Sequence, residues 1–250
     1  MSGRVLSIGV GGLASPVLLI LARSIDVHLT LVDDDCVEES NLHRQLLYGR
    51  VDIGVRKLSV ARERILLEAA QAGRRVSVET IEGRFVPENA VALASAHDVI
   101  VEGADNFATK FLAADAAGLT GTAIVHAGVV RWAGYALAVR PGESACLRCL
   151  FEDLPPDRAE TCATAGVVGP VVGTLGALQA ALAIRLALGD TTAGGTLFHH
   201  DARKSTLRRT QLARRIDCPL CGAHPSIDAI EPARYEGARD ETVAHTAPVG

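Results

Sequence analysis

Hydrophobic positions recur along the first half of this chain as short, nearly all-apolar runs separated by stretches of helical spacing. Val5-Leu6-Ser7-Ile8 is the first run, and Val27 to Val32 is the second. Between them Pro16 to Arg23 predicts a helix, with Pro16 in the first turn, where a missing N–H costs nothing. Lys57 to Ala70 carries Val60, Ile65, Leu66 and Ala69 at roughly helical spacing among charges, which predicts an amphipathic helix. Val76 to Ile81 alternates as a strand. Asp98 to Val101 and Ala123 to His126 are again short apolar runs, with a helical stretch between them. Strands that are apolar on both faces belong to a parallel sheet covered by helices on each side.

After Val129 the pattern changes. Tyr135 to Val139 predicts a further strand, and Glu152 to Thr161 a loop rich in proline and acids. A long apolar helix is expected over Thr174 to Leu188, then a late antiparallel pair from Thr196–Phe198 and Thr206–Leu212. Beyond Gly222 there is little periodicity, so residues 223–250 are expected to form a disordered tail. The expected fold is α/β, a Rossmann-like doubly wound, mostly parallel sheet with late antiparallel strands. One domain over 1–222 would contain a nucleotide-binding part, about 1–130, and a second part, about 131–222.

Composition supports one large domain: 250 residues, of which 48% are hydrophobic. A formal net charge of -4 offers no electrostatic footprint for nucleic acid. The charge-free segments Val5–Ala22 and Thr161–Ile184 have a membrane span's length, about 20 residues. The first is broken by Gly-Gly and Pro16; the second carries several glycines, Pro170 and Gln179 and lacks flanking aromatic belts. The second therefore reads as a buried helix behind a glycine-rich loop, and neither reads as membrane. No signal-peptide cleavage site is evident, and the expected location is the cytoplasm. Only Lys57, Lys110 and Lys204 are lysine, so a lysine inside a motif draws notice; alone, each reads as a solvated surface charge.

The first motif with chemistry is IGVGGLASP, residues 8–16. Gly9 permits a tight bend, Gly11 admits phosphate close to the backbone, and the helix N-terminus behind them favours an anion. Asp33, 24 residues after Gly9, is placed to accept from ribose hydroxyls. This pattern fits NAD and ATP equally. Asn41, Arg44 and Gln45 lie just beyond the ribose-reading acid, and Lys57 begins the next helix. Cations converging on nucleotide phosphates suit displacement at phosphorus, where negative charge is redistributed, and hydride transfer has no need of them. Glu102-Gly103-Ala104-Asp105-Asn106 follows another strand's C-terminal end, where a carboxylate can hold the Mg²⁺ of a triphosphate or cap a helix.

Cys146-Leu147-Arg148-Cys149 and Cys218-Pro219-Leu220-Cys221 form CxxC…CxxC. Two such knuckles suit a tetrahedral Zn²⁺ with no open position, hence a structural site; paired disulfides or redox motifs are the alternatives. Cys162 stands where a polar loop meets the apolar helix and is inert on its own showing. Cys36 has no supporting context.

Together, GVGGLASP, LVDDDCVEESNLHRQ, the Gly54-Val55-Arg56-Lys57 helix start, GADN, CLRC, TCATAGVVGPVVGTLGALQA and CPLCG resemble the ThiF/MoeB/HesA family. These are bacterial relatives of ubiquitin-activating enzymes, and the Cys162 segment and Asp33–Asp35 look most like the ThiF branch. The resemblance runs from about Arg4 to Gly222. It implies an adenylyltransferase that uses ATP and Mg²⁺ to convert the C-terminal glycine of a small ubiquitin-like sulfur carrier, ending in Gly-Gly, into an acyl-adenylate. It implies Asp33 at the ribose, Asn41, Arg44 and Lys57 at the triphosphate and Asp105 at the magnesium, with Gly9, Gly11, Gly12, Asp35 and Asn106 also in the cofactor site. Cys162 matches the family's reactive cysteine on a crossover loop. A homodimer and a sulfurtransferase partner are also implied. The family's N-terminal helical arm, with an arginine reaching the partner subunit's ATP, has no counterpart ahead of Arg4. Ala14 for the usual glycine and Tyr135 where Gln is common are smaller departures. A catalytically silent scaffold, a peptide-adenylating enzyme of natural-product biosynthesis, and a NAD-dependent oxidoreductase remain as other readings.

Overall fold

The computed structural model describes residues 3–154 and 165–238. Eight strands form one sheet: β1 Gly3–Ile8, β2 Val27–Asp33, β3 Val76–Glu82, β4 Val99–Glu102, β5 Ala123–Val130, β6 Ala133–Val139, β7 Thr196–Asp201 and β8 Thr206–Gln211. Their spatial order is β3-β2-β1-β4-β5-β6-β7-β8. The first five in that order pair in parallel and the last three antiparallel; the parallel half and the late β7–β8 pair are as the hydrophobic pattern predicts. The helices are α1 Ala14–Ser24, α2 Lys57–Gln71, α3 Pro87–Ser95, α4 Phe107–Thr120, the single turn α5 Leu147–Leu150, and α6 Gly169–Ala187.

Alternation along the parallel strands divides the interior into two cores. Val5, Leu29, Leu31, Val101 and Val125 face α1, α2 and α6. Leu6, Ile8, Ile100 and Ile124 face α3 and α4. Both faces of the central strands are therefore apolar, as parallel strands between two helical layers must be.

Three elements differ from expectation. α6 begins at Gly169 rather than Thr174, because Pro170 falls in its first turn, where proline is pre-organised for helix. It is the one described helix long and apolar enough to cross a membrane, yet half of its most apolar window is buried, and Gln179 donates to sheet carbonyls at 2.7 and 2.9 Å. β5 and β6 run to Val130 and from Ala133, joined by a tight turn in which Arg131 has φ 54°. The small residues Ala127, Gly128 and Gly134 hide that hairpin from a hydrophobicity reading. Finally, within 223–238, expected to be disordered, two residues are anchored: Ile227 and Tyr235 are buried in the core that includes α4, and Tyr235 donates to Asp115 Oδ2 at 2.6 Å. Isolated anchors in a polar segment leave no periodicity to read. Residues 239–250 lie outside the described residues.

α1 and α6 meet at a crossing without side chains on one side. A Cβ at Gly176 would collide with Pro16 Cγ and stand 2.8 Å from the Leu13 carbonyl oxygen. Gly176→Ala is therefore expected to destabilise the fold by about 1–3 kcal/mol through overpacking, despite alanine's better helix propensity. Urea unfolding against wild type measures it.

Candidate functional site

The chain winds outward from β1 to β3 on one side and then crosses to β4 on the other. β1 and β4 are hydrogen-bonded neighbours, so the order reverses between them, and a crevice opens beyond their C-terminal ends. The glycine turn follows β1 and the 103–106 loop follows β4. The two loops are tied by Gly103 N donating to Ile8 O at 3.0 Å. Gly9 has φ +83°, which an L side chain rarely adopts, and its Cβ position stands 3.5 Å from Gly103 O. A Cβ on Gly11 would meet, among the described residues, Gln45 Nε2 at 3.7 Å. Gly12 lets Arg44 lie against the turn, since a Cβ there would stand 3.3 Å from Arg44 Cγ. Behind these glycines α1 starts with no acidic residue in its first turn and no side-chain cap, leaving its positive end for an anion.

Asp33, at the end of β2, accepts from Val10 N and Asp35 N, both at 2.9 Å, so it braces the glycine turn. Burial pushes its carboxyl up, against the pull of the Lys57 charge. Tyr48 closes the same turn from below by donating to Val10 O at 2.9 Å, and burial pushes its phenol far up. Lys57 begins α2 and is only 4% exposed, contrary to the surface-charge reading of a lone lysine. Its Nζ meets Asp35 Oδ2 at 2.6 Å, and Asp35 is thus the lysine's partner. Arg44 Nη2 donates to Asn41 Oδ1 at 2.5 Å. Asn41 closes a single 3₁₀ turn, Glu39–Asn41, and Arg44 and Gln45 follow it in an irregular segment. The carboxylates of Asp33, Asp34 and Asp35 lie within 4.8 Å of one another.

In the 103–106 loop, Asn106 caps α4 by accepting from Thr109 N at 2.8 Å. Asp105 is exposed and free of that duty. Arg84 donates to Asp34 at 2.7 Å, and its guanidinium is held above its ordinary range first by that bond, with Asp35 and Asp105 adding to it. These acids therefore share one face of the crevice. Beneath the loop lies a buried cluster, Glu102, Lys110 and His126, for which the scarcity of lysine is the one signal in the sequence. Cys162 lies outside the described residues.

Far from the crevice along the chain, Cys146, Cys149, Cys218 and Cys221 converge, with all four sulfurs within 4.8 Å of one another. Separations are 3.9 Å for Cys146–Cys149, 3.5 Å for Cys146–Cys218 and 3.4 Å for Cys149–Cys221. Thiolates about 2.3 Å from a tetrahedral Zn²⁺ stand about 3.8 Å apart, so the donor set fits that ion in size and chemistry. Hydrogen bonds, chiefly from Cys146, pull the Cys221 thiol down to about 4, while Cys146 rises through its bond to Cys221 and burial. Only a cation at the centre lets all four ionise together. Between the cysteines of the first knuckle, buried Arg148 forms a two-bond pair with Asp115 of α4 at 2.7 and 2.8 Å. The knuckle is thereby tied to the helix that begins at the crevice.

Fold and crevice together define a nucleotide-binding α/β protein with a thiolate cluster suited to zinc. The ThiF family pattern matches residues 1–220, and the chain belongs to the ThiF family. It is similar to the SAMP-activating enzyme E1 of Haloferax volcanii, 36% identical over 242 residues, 94% of this chain and 86% of that protein. It is 37% identical to the sulfur carrier protein ThiS adenylyltransferase of Escherichia coli over 89% of this chain and 87% of that protein. Against the adenylyltransferase and sulfurtransferase MOCS3 of Culex quinquefasciatus it is 33% identical over 89% of this chain, and it spans about half of that protein, 51%. The fold is that of Escherichia coli MccB crystallised with ATP: TM-score 0.75, 21% identity, 88% of this chain and 66% of that one.

The thiolate geometry predicts one tightly held Zn²⁺ per chain, read by elemental analysis. Cys218→Ser, or prolonged chelation, is expected to lower the melting temperature by several degrees and release the knuckles, since ligand loss removes folding energy. Substitution by Co²⁺ should then show the thiolate-to-metal absorption of a tetrahedral S₄ site.

Proposed function

We propose that this adenylyltransferase of the ThiF family uses ATP to activate the C-terminal glycine carboxylate of a small ubiquitin-like sulfur-carrier protein ending in Gly-Gly. The observation that carries the reading is the approach of Arg44 to the glycine turn together with the sequestered Lys57 beside it. Hydride transfer has no use for two cations there; pyrophosphate departure does. The names of the relatives from Haloferax, Thermus and Escherichia agree with it.

In this reading the adenosine lies over the β1–β2 edge, with Asp33 and Asp35 near the ribose and the α1 N-terminus against the phosphates. The carrier's carboxylate oxygen attacks the α-phosphorus, the bond to the β-phosphate oxygen breaks, and pyrophosphate leaves. Arg44, braced by Asn41, and Lys57, oriented by Asp35, neutralise charge on the leaving phosphates. Mg²⁺, held through Asp105, supplies further neutralisation and a fixed triphosphate geometry when bound. Exposed oxygen donors such as Asp105 and the 33–35 carboxylates suit this hard ion as the thiolate cluster suits Zn²⁺. Asn106, as the cap of α4, supports Asp105 from the following position.

The acyl-adenylate is consumed by a sulfur donor delivered by a sulfurtransferase. A homodimer is part of the proposal, with exposed Leu46, Val51, Ile53 and Val55 as apolar surface for it, and so is a cytoplasmic location, where the thiols stay reduced. Cys162 acts after adenylation, because attack on phosphorus needs no protein nucleophile.

Carrier-dependent ATP–pyrophosphate exchange tests the reading. Wild type is expected to exchange only with a Gly-Gly-ended carrier and Mg²⁺. Lys57→Ala or Arg44→Ala should cut kcat/KM by about 100-fold or more, the scale of losing one charge-stabilising group. Cys162→Ala should leave exchange intact. Absence of exchange with every such carrier at saturating ATP and Mg²⁺ sinks the proposal.

A further inference from the structure

Glu102 ends β4 with its side chain fully buried, facing α4. Lys110, one turn into α4, is 6% exposed and meets both carboxylate oxygens, at 3.0 and 2.9 Å. Its Nζ also donates to Ala127 O on β5 at 2.6 Å. His126 Nδ1 lies 3.3 Å from Glu102 Oε2, while its buried Nε2 has no partner among the described residues. Burial raises the Glu102 carboxyl, but Lys110 and then His126 outweigh it and hold the group below the ordinary carboxylate range. Burial lowers His126 against the opposing pull of Glu102, and its Nδ1 lies against that carboxylate.

Stability alone does not account for such a pair, since an apolar pair of similar volume is often as stable. What the carboxylate adds is a third connection: Oε1 also accepts from Ala104 N at 2.7 Å. With Gly103 N on Ile8 O at 3.0 Å and Gln179 Nε2 on Glu102 O at 2.7 Å, the backbone leading to Asp105 is pinned at three successive residues. Asn106 pins it from the other side. Asp105 itself is exposed and makes no hydrogen bond among the described residues, so its carboxylate is unengaged on a fixed base. Lys110 also cancels the Glu102 charge, so that the seat does not compete with Asp105 for a cation.

We infer that Glu102, Lys110 and His126 form a buried seat for the Asp105 loop, with Glu102 and Lys110 as positioning residues for the Mg²⁺–triphosphate end of the reaction. This rests on the adenylation reading and on Asp105 as the magnesium ligand.

Calorimetric binding of ATP with and without Mg²⁺, which needs no carrier, tests the inference. Wild type is expected to bind Mg·ATP more tightly than metal-free ATP. Lys110→Met should erase most of that advantage, roughly ten-fold, while metal-free ATP affinity stays within about two-fold. Lys110→Arg should restore it, and Asp105→Asn/Lys110→Met should be no worse than Asp105→Asn alone. If Lys110→Met does not fold, the charge-neutral Glu102→Gln/Lys110→Met pair takes its place with the same expectation. Equal weakening of both affinities, an unchanged magnesium advantage, additivity with Asp105→Asn, or no magnesium advantage in wild type would each overturn the inference. A wild type with the magnesium advantage but without pyrophosphate exchange overturns the adenylation reading instead and leaves the seat standing.

Discussion

The structure turns on the seam between β1 and β4. Two parallel strands must stay hydrogen-bonded to their last residues while their loops part in opposite directions. The bond from Gly103 N to Ile8 O closes that seam, and Gly9, with φ +83°, turns the first loop away within one residue. Everything with nucleotide chemistry is hung from those two loops or from the β2 end beside them. The core on either side serves this point, because apolar strands buried on both faces are what permit a parallel sheet to reverse its winding here.

Charge in the crevice is held in pairs. Lys57 rests on Asp35, Arg44 on Asn41, Arg84 on Asp34, and Lys110 on Glu102. Each cation is thus oriented before any anion arrives, which reduces the ordering that binding requires. Asp105 stands outside this scheme and faces solvent. It is the group best suited to a partner that comes and goes.

Much of this was legible in the chain. The strands of the parallel half follow from their apolar runs, and the reversal point follows from glycine and acid motifs placed after two of them. The ThiF family membership was readable from motif order, and the four cysteines from spacing alone. The hairpin of β5 and β6 was not, because Ala127, Gly128 and Gly134 pack by closeness rather than by hydrophobic area. Lys110 was invisible for a related reason: a buried charge is defined by its partner, here Glu102 eight residues earlier on another element. Sequence shows the two residues but not that a strand end and a helix turn bring them together.

The boundary of the family pattern at residue 220 is not the boundary of the folding unit. Asp115 receives two hydrogen bonds from Arg148 and one from Tyr235, all inside the protein. A chain cut just after the last cysteine would leave Asp115 short of a donor and uncover the α4 surface beneath Ile227. The last fifteen or so residues before 238 thus work as a clasp. Anyone trimming this protein to its shared family core removes a second brace, beside the Arg148–Asp115 pair, between the knuckles and α4.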